Sequence, residues 1–143
     1  MLKLGFLVVV GLLLGSGLPG ASLAESLNSP EQIQRGEYLV LHVAMCVQCH
    51  TPRDKQGHLE ETQLLQGAPM PVESPFPSSL WAFQAPTIAG LPGWAAEDAI
   101  TFLQTGQRPD GWFPRPPMPP FRFTPEDAAA VVAYLKSLQP GSP

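Results

Sequence analysis

The sequence predicts an all-α domain wrapped by stiff loops, and three observations carry that expectation. Three segments have helical periodicity with matching start and stop signals. No run of alternating residues is long enough for a convincing sheet, and the stretches between the helices are crowded with proline and aromatic residues. The chain has 143 residues, room for one modest domain, and its 44% apolar share permits a real core. Charged residues make up 14%, well below the roughly 25% of an average soluble chain, and 18 prolines exceed twice the usual ~5% share.

Residues 1–24, MLKLGFLVVVGLLLGSGLPGASLA, read as a secretory signal. Lys3 precedes an apolar run from Leu4 to Leu14, then come Gly and Pro, and Ser22 and Ala24 are small residues before Glu25. The run is shorter than the ~20 residues of a membrane span; an uncleaved anchor, lengthened through Leu18 and Leu23, is the alternative. No cysteine near the cleavage point offers a lipid attachment site. The mature domain is then 25–143, with its core over about 30–138. Without Lys3, seven of the eight basic residues face all twelve acidic ones, a net charge of −5. That argues against a nucleic-acid partner, which needs basic surface, and is compatible with steering toward a basic partner.

The first helix starts in NSPEQIQRGEYLVLHVAM. Asn28 or Ser29 can cap, Pro30 suits the first turn, and Ile33, Gly36, Val40 and Val43 share a face. Tyr38, Leu41 and Met45 form a second apolar stripe, so burial on both faces is expected. The second helix is WAAEDAITFLQTG, with Ala96, Ile100 and Leu103 on one face, Glu97 and Asp98 at its start and Gly106 to end it. The third, TPEDAAAVVAYLKSLQPG, has Thr124 as cap, Pro125 at its first position and a buried stripe of Ala128, Val131, Val132, Leu135 and Leu138. Trp81, Phe83, Trp94, Trp112, Phe113, Phe121 and Phe123, in or beside the proline-rich stretches, are unlike the composition of disordered tails. Ordered loops around a bulky apolar object are expected.

The chemistry lies in Cys46-Val47-Gln48-Cys49-His50, the CxxCH spacing of covalent haem attachment. Two residues between the thiols let both sulfurs reach the vinyl groups on one side of a porphyrin, and the next residue, His50, comes under the iron. Its neutral imidazole can ligate through one nitrogen while the other donates a hydrogen bond that fixes the ring. The rivals fit less well. A thioredoxin-like pair needs a βαβ context. Structural zinc needs four ligands, with only His42 and His58 left to assist. A disulfide across two residues closes too short a loop to stabilise much.

The other axial ligand is expected at Met118. RPPMPPF is a stiff loop before the last helix, far enough from His50 to wrap to the other ring face, and its flanking prolines reduce the freedom lost on ordering. Met1 leaves with the signal, and Met45 adjoins the attachment site. Met70 is the runner-up, and His42 and His58 are nitrogen candidates on the first helix and in a charged loop. A gap-filling Met118, or a polyproline docking segment, is the bland alternative.

Taken together, a helix ending in CVQCH, a middle helix, and a methionine loop before a last helix resemble the class I monohaem cytochromes c, over roughly Pro30 to Leu138. RGEYLV, CHTPR, GLPGW, LQTG, PPMPPF and AAVVAYLKSL are similar to small cytochromes, or cytochrome subunits, of periplasmic alcohol and aldehyde dehydrogenases. The resemblance implies three to four helices with proline-rich loops round one covalently bound haem c. It implies that the first and last helices cross where Gly36 admits Tyr134. It also implies that a loop carbonyl in GAPMP, at Pro69, accepts the His50 hydrogen bond. Two departures stand out. Pro86-Thr87-Ile88 replaces a common Asn-Ile-Thr, which puts a haem-edge hydrogen bond in doubt, and Ala95 replaces a Ser or Thr cap. Trp81, Arg115 and Arg122 are candidates to meet haem propionates.

The functional expectation is an exported, periplasmic electron carrier, not an enzyme, since no triad or acid/base pair is evident. Its partners would be redox proteins such as a periplasmic dehydrogenase or a terminal oxidase, with membrane contact only if the N-terminal segment is retained. The alternatives are a haem enzyme or gas sensor with an open distal site, and the electron-accepting subunit of a dehydrogenase.

Overall fold

The computed structural model describes residues 29–75, 77 and 80–138. The expected signal, 1–24, lies outside them, as does the Pro140-Gly141 stop. Among the described residues four α-helices run in order: α1 Pro30–Tyr38, α2 Val47–His50, α3 Ala96–Thr105 and α4 Pro125–Ser137. Among the described residues no helix is long and apolar enough to cross a membrane.

The caps reflect local chemistry. The Ser29 side chain accepts from the Gln32 N–H, and the Thr124 hydroxyl accepts from the Asp127 N–H, each 3.2 Å away. Pro30 and Pro125 lose nothing at positions where the helix has no use for an N–H. Gly106 ends α3 at φ 72°, and a Cβ there would meet Pro120 Cβ at 2.6 Å. Ala95 starts α3 with extended dihedrals and no side-chain cap, so that end leans on Glu97 and Asp98 alone.

The core is the crossing of α1 and α4, with α3 also packed on α4. Every residue of α4 from Ala130 to Leu135 is buried, which a helix sandwiched between two partners requires. A Cβ on Gly36 would strike the Ala130 carbonyl and lie 2.8 Å from Tyr134 Cβ, so only glycine allows this approach. Arg35 straps the same crossing from outside through two hydrogen bonds to Asp127, at 3.0 and 3.2 Å.

Two expectations need correction. The first helix does not run on to Met45 with both stripes buried. From Leu39 to Val43 it widens into a π-helical turn, the Ala44 N–H reaches Leu39 O and the Cys46 N–H reaches Val40 O. The extra residue in the turn rotates the side chains beyond it. Leu39 and Val40 enter the core, whereas Tyr38, Val43 and Met45 are about half exposed. Met45 itself is left-handed, at φ 55°, a conformation that costs a non-glycine residue about 1 kcal/mol and here turns the chain into α2.

A sheet is also present, though a very small one. Strands β1 (Ala68–Pro69) and β2 (Gln84–Ala85) pair antiparallel, Ala68 opposite Ala85 and Pro69 opposite Gln84. Two residues per strand are too few to print an alternating pattern in the sequence. Leu65, fully buried at φ 60°, extends the ribbon: its carbonyl accepts from the Ile88 and Ala89 N–H groups at 3.0 and 3.2 Å.

Candidate functional site

Helix α2 is one turn long and carries the motif. The Cys46 carbonyl accepts from the Cys49 and His50 N–H groups, at 3.3 and 2.9 Å. Positions i, i+3 and i+4 of a helical turn share a face, so Cys46, Cys49 and His50 are presented together. Both cysteines are free thiols, half-buried. Cys46 packs against the core, and burial pushes its thiol up to about 11, with a smaller contribution from Cys49 and an opposing one from a backbone hydrogen bond. It is therefore a protonated thiol at neutral pH.

His50 is buried and gripped at both ends. Its backbone carbonyl accepts from the Gly67 N–H at 2.7 Å, just before β1. Its Nδ1 lies 2.7 Å from the Pro86 carbonyl, just after β2. A carbonyl only accepts, so Nδ1 carries the proton and the lone pair of the neutral ring is on Nε2. Burial lowers the imidazole pKa, with the Pro86 hydrogen bond acting the other way, and the neutral form is favoured. The partner is thus Pro86 rather than Pro69, which sits in the ribbon opposite Gln84. Proline carbonyls look alike in sequence, and only the ribbon's pairing decides which one meets the ring.

Other residues were not apparent from the sequence. Thr51, 1% exposed, holds the segment after the motif by accepting from the Leu65 N–H at 3.0 Å. Thr87 donates its hydroxyl to the Gln66 carbonyl at 2.6 Å. The threonine directly after the CxxCH histidine is the sequence signal that points to this side.

The methionine loop is tied to the ribbon side of the molecule. The Pro116 carbonyl accepts from the Ala82 N–H at 2.8 Å, and Met118, half-buried, donates its N–H to Arg115 O at 3.2 Å. Met70 is also half-buried and lines a cleft with Pro71, Val72, Trp81 and Phe83. His42 is exposed beside the Tyr38 ring, and exposed His58 lies 3.5 Å from Asp54. Trp81 is buried, while Arg115 and Arg122 are exposed, with Arg122 donating to the Phe121 and Pro120 carbonyls. Among the described residues no group of three or more His, Cys, Asp or Glu is arranged to hold a metal ion by itself. The donor set instead fits a haem: two free thiols on one helical face with a neutral imidazole whose lone pair is on Nε2.

The comparisons point the same way. The cytochrome c family profile matches residues 33–139. The chain is similar to the cytochrome c subunit of a quinone-dependent alcohol dehydrogenase from Gluconacetobacter polyoxogenes, 31% identical over 128 residues, 78% of this chain and 25% of that subunit. It is similar to a dihaem c-type cytochrome of Cereibacter sphaeroides, 32% identical over 113 residues, 76% of this chain and 36% of that protein. The fructose dehydrogenase cytochrome subunit of Gluconobacter japonicus is 29% identical over 114 residues, 73% of this chain and 21% of the subunit. The chain therefore spans only about a fifth to a third of the length of these relatives. Its helical frame, its CxxCH turn and the profile that covers nearly all the described residues place the chain in the cytochrome c family.

Proposed function

We propose that this protein is an exported electron carrier holding one haem c, with Cys46 and Cys49 as its thioether anchors, His50 as the proximal iron ligand and Met118 as the distal one. The observation that carries this reading is the His50 ring, its Nδ1 proton committed to Pro86 at the end of the turn that bears both thiols. When bound, the haem supplies an iron that takes up and gives back one electron.

The chain's own residues do the rest. Pro86 and Gly67 hold His50 so that the ring does not rotate, and burial keeps it neutral. Prolines 116, 117, 119 and 120 restrict the Met118 loop, which favours keeping a weak thioether in place. A histidine and methionine pair raises the reduction potential, and neither ligand need leave during transfer. No proton moves and no substrate is transformed, so the protein is a carrier rather than an enzyme.

The leader at 1–24 directs the domain at 25–143 to the periplasm. There its acidic surface meets redox proteins, either a dehydrogenase that donates electrons or a terminal oxidase that accepts them. The likeness to dehydrogenase cytochrome subunits favours the first, as an electron-accepting subunit or a free shuttle.

The test is spectroscopic, on protein exported in cells that attach haem. Met118→Ala should keep covalent haem but lose the sulfur-to-iron charge-transfer band; persistence of that band would displace Met118 as the ligand. Cys46→Ser with Cys49→Ser should release all haem on acid extraction, and retained covalent haem would end the reading.

A further inference from the structure

Nothing in the motif explains why the Pro86 carbonyl stands where it does. It belongs to the peptide unit joining Pro86 to Thr87, and a peptide plane can tilt unless both of its ends are fixed. On one side it is anchored by Ala85, paired with Ala68 in the ribbon. On the other, Thr87 donates its hydroxyl to the Gln66 carbonyl at 2.6 Å, and the Ile88 N–H reaches Leu65 O at 3.0 Å. Gly67 faces the same peptide unit at φ 87°. A Cβ on it would meet Thr87 N at 2.8 Å, Ala85 O at 2.9 Å and the Pro86 carbonyl carbon at 3.0 Å. The Gly67 N–H meanwhile holds the His50 backbone. The two segments that grip His50 are thus joined by backbone bonds on either side, and next to the Pro86 carbonyl itself the Thr87 side chain closes the clasp.

We propose that Thr87 is a positioning residue for His50: its hydroxyl, closed on Gln66 across the end of the ribbon, sets where the Pro86 carbonyl stands and so how firmly it holds the imidazole. This rests on the reading that His50 ligates the haem iron. The chemistry is set by the direction of the bond. A firm Nδ1–H···O bond makes Nε2 a stronger donor and favours oxidised iron, so a loosened one raises the reduction potential. Gly67 contributes by leaving room for the crossing.

The experiment compares haem-loaded wild type, Thr87→Val and Thr87→Ser. Two quantities are read: solvent exchange of the His50 Nδ1 proton by NMR in the ferrous state, and the midpoint potential. Valine keeps the branched shape and removes the hydroxyl, and should speed exchange at least tenfold and shift the potential upward. Serine keeps the hydroxyl and should return both to wild-type values. Wild-type exchange and potential in Thr87→Val would overturn the proposal. So would a Thr87→Ser protein as displaced as the valine variant, because the lost methyl would then be the cause. If Thr87→Val does not hold haem, Thr87→Ser decides alone: wild-type behaviour supports the clasp and a shared failure overturns it. Failure of the underlying reading shows separately, as the absence of a haem-shifted His50 ring signal in the wild type.

Discussion

The helix crossing and the proline-rich side of this molecule are held together by different means. At the crossing, the first helix with its π-helical turn and α4 bury Val40, Val131, Val132, Tyr134 and Leu135 in one core, and the contact is close enough that Gly36 cannot carry a side chain. On the ribbon side, single hydrogen bonds do the holding: Gly67 to His50, His50 to Pro86, Thr87 to Gln66, Ala82 to Pro116. Packing is shared over many atoms and forgiving of none at its tightest point. Hydrogen bonds are directional and aim particular groups. The first region sets stability and the second sets the pose of the site.

The largest expected effect tests the first half of that contrast. Gly36→Val should cost about 3 kcal/mol or more, because its side chain meets the Ala130 backbone rather than a movable side chain. Urea unfolding of the variant checks it, and an unchanged midpoint would mean the crossing is no tighter than the loops.

Cys46, at the junction of the two regions, gives a pH signature in the haem-free chain. Its thiol holds a proton to about pH 11 when folded, against 9.0 when free. Between those values the unfolded state has lost a proton that the folded state keeps, so stability falls as pH rises through that window. The urea midpoint should therefore drop between about pH 9 and about pH 11, and Cys46→Ser should remove that part of the drop.

Helix ends should give smaller and opposite changes. Thr124→Ala removes the bond to the Asp127 N–H and should cost about 1 kcal/mol. Ala95→Ser places a hydroxyl where the dihedrals already suit a cap and should gain up to about 1 kcal/mol. Thermal melts of the two variants check both signs. The smallest effect is Arg35→Ala: the strap to Asp127 is on the surface, so the urea midpoint should stay within error and be indifferent to salt.

The same contrast explains what could be read from the sequence. The three longer helices were legible because caps, prolines and apolar spacing are local signals: Thr124 and Pro125, Gly106, and the stripe from Ala128 to Leu135. The need for a glycine at position 36 was legible too, since mid-helix glycine calls for a packing reason. The π-helical turn was not, because Leu39 to Val43 is apolar enough for either winding. The ribbon and the Pro86 carbonyl were not, because backbone groups are the same in every residue. Their partners are chosen by chain path, and Gly67 and Thr87 declare their roles only once the two segments lie side by side.

The strap between Arg35 and Asp127 joins residues 92 apart in sequence, and the first helix finds its main partner in the last. A chain made from its N-terminus has Cys46 and Cys49 in place long before α4 exists to cover the first helix. Until then Cys46 is an ordinary accessible thiol; afterwards it is half-buried and harder to ionise. Order of synthesis thus opens an interval in which Cys46 ionises most readily, and it closes as the final helix completes the core. Any chemistry that uses them is best done before the protein is finished.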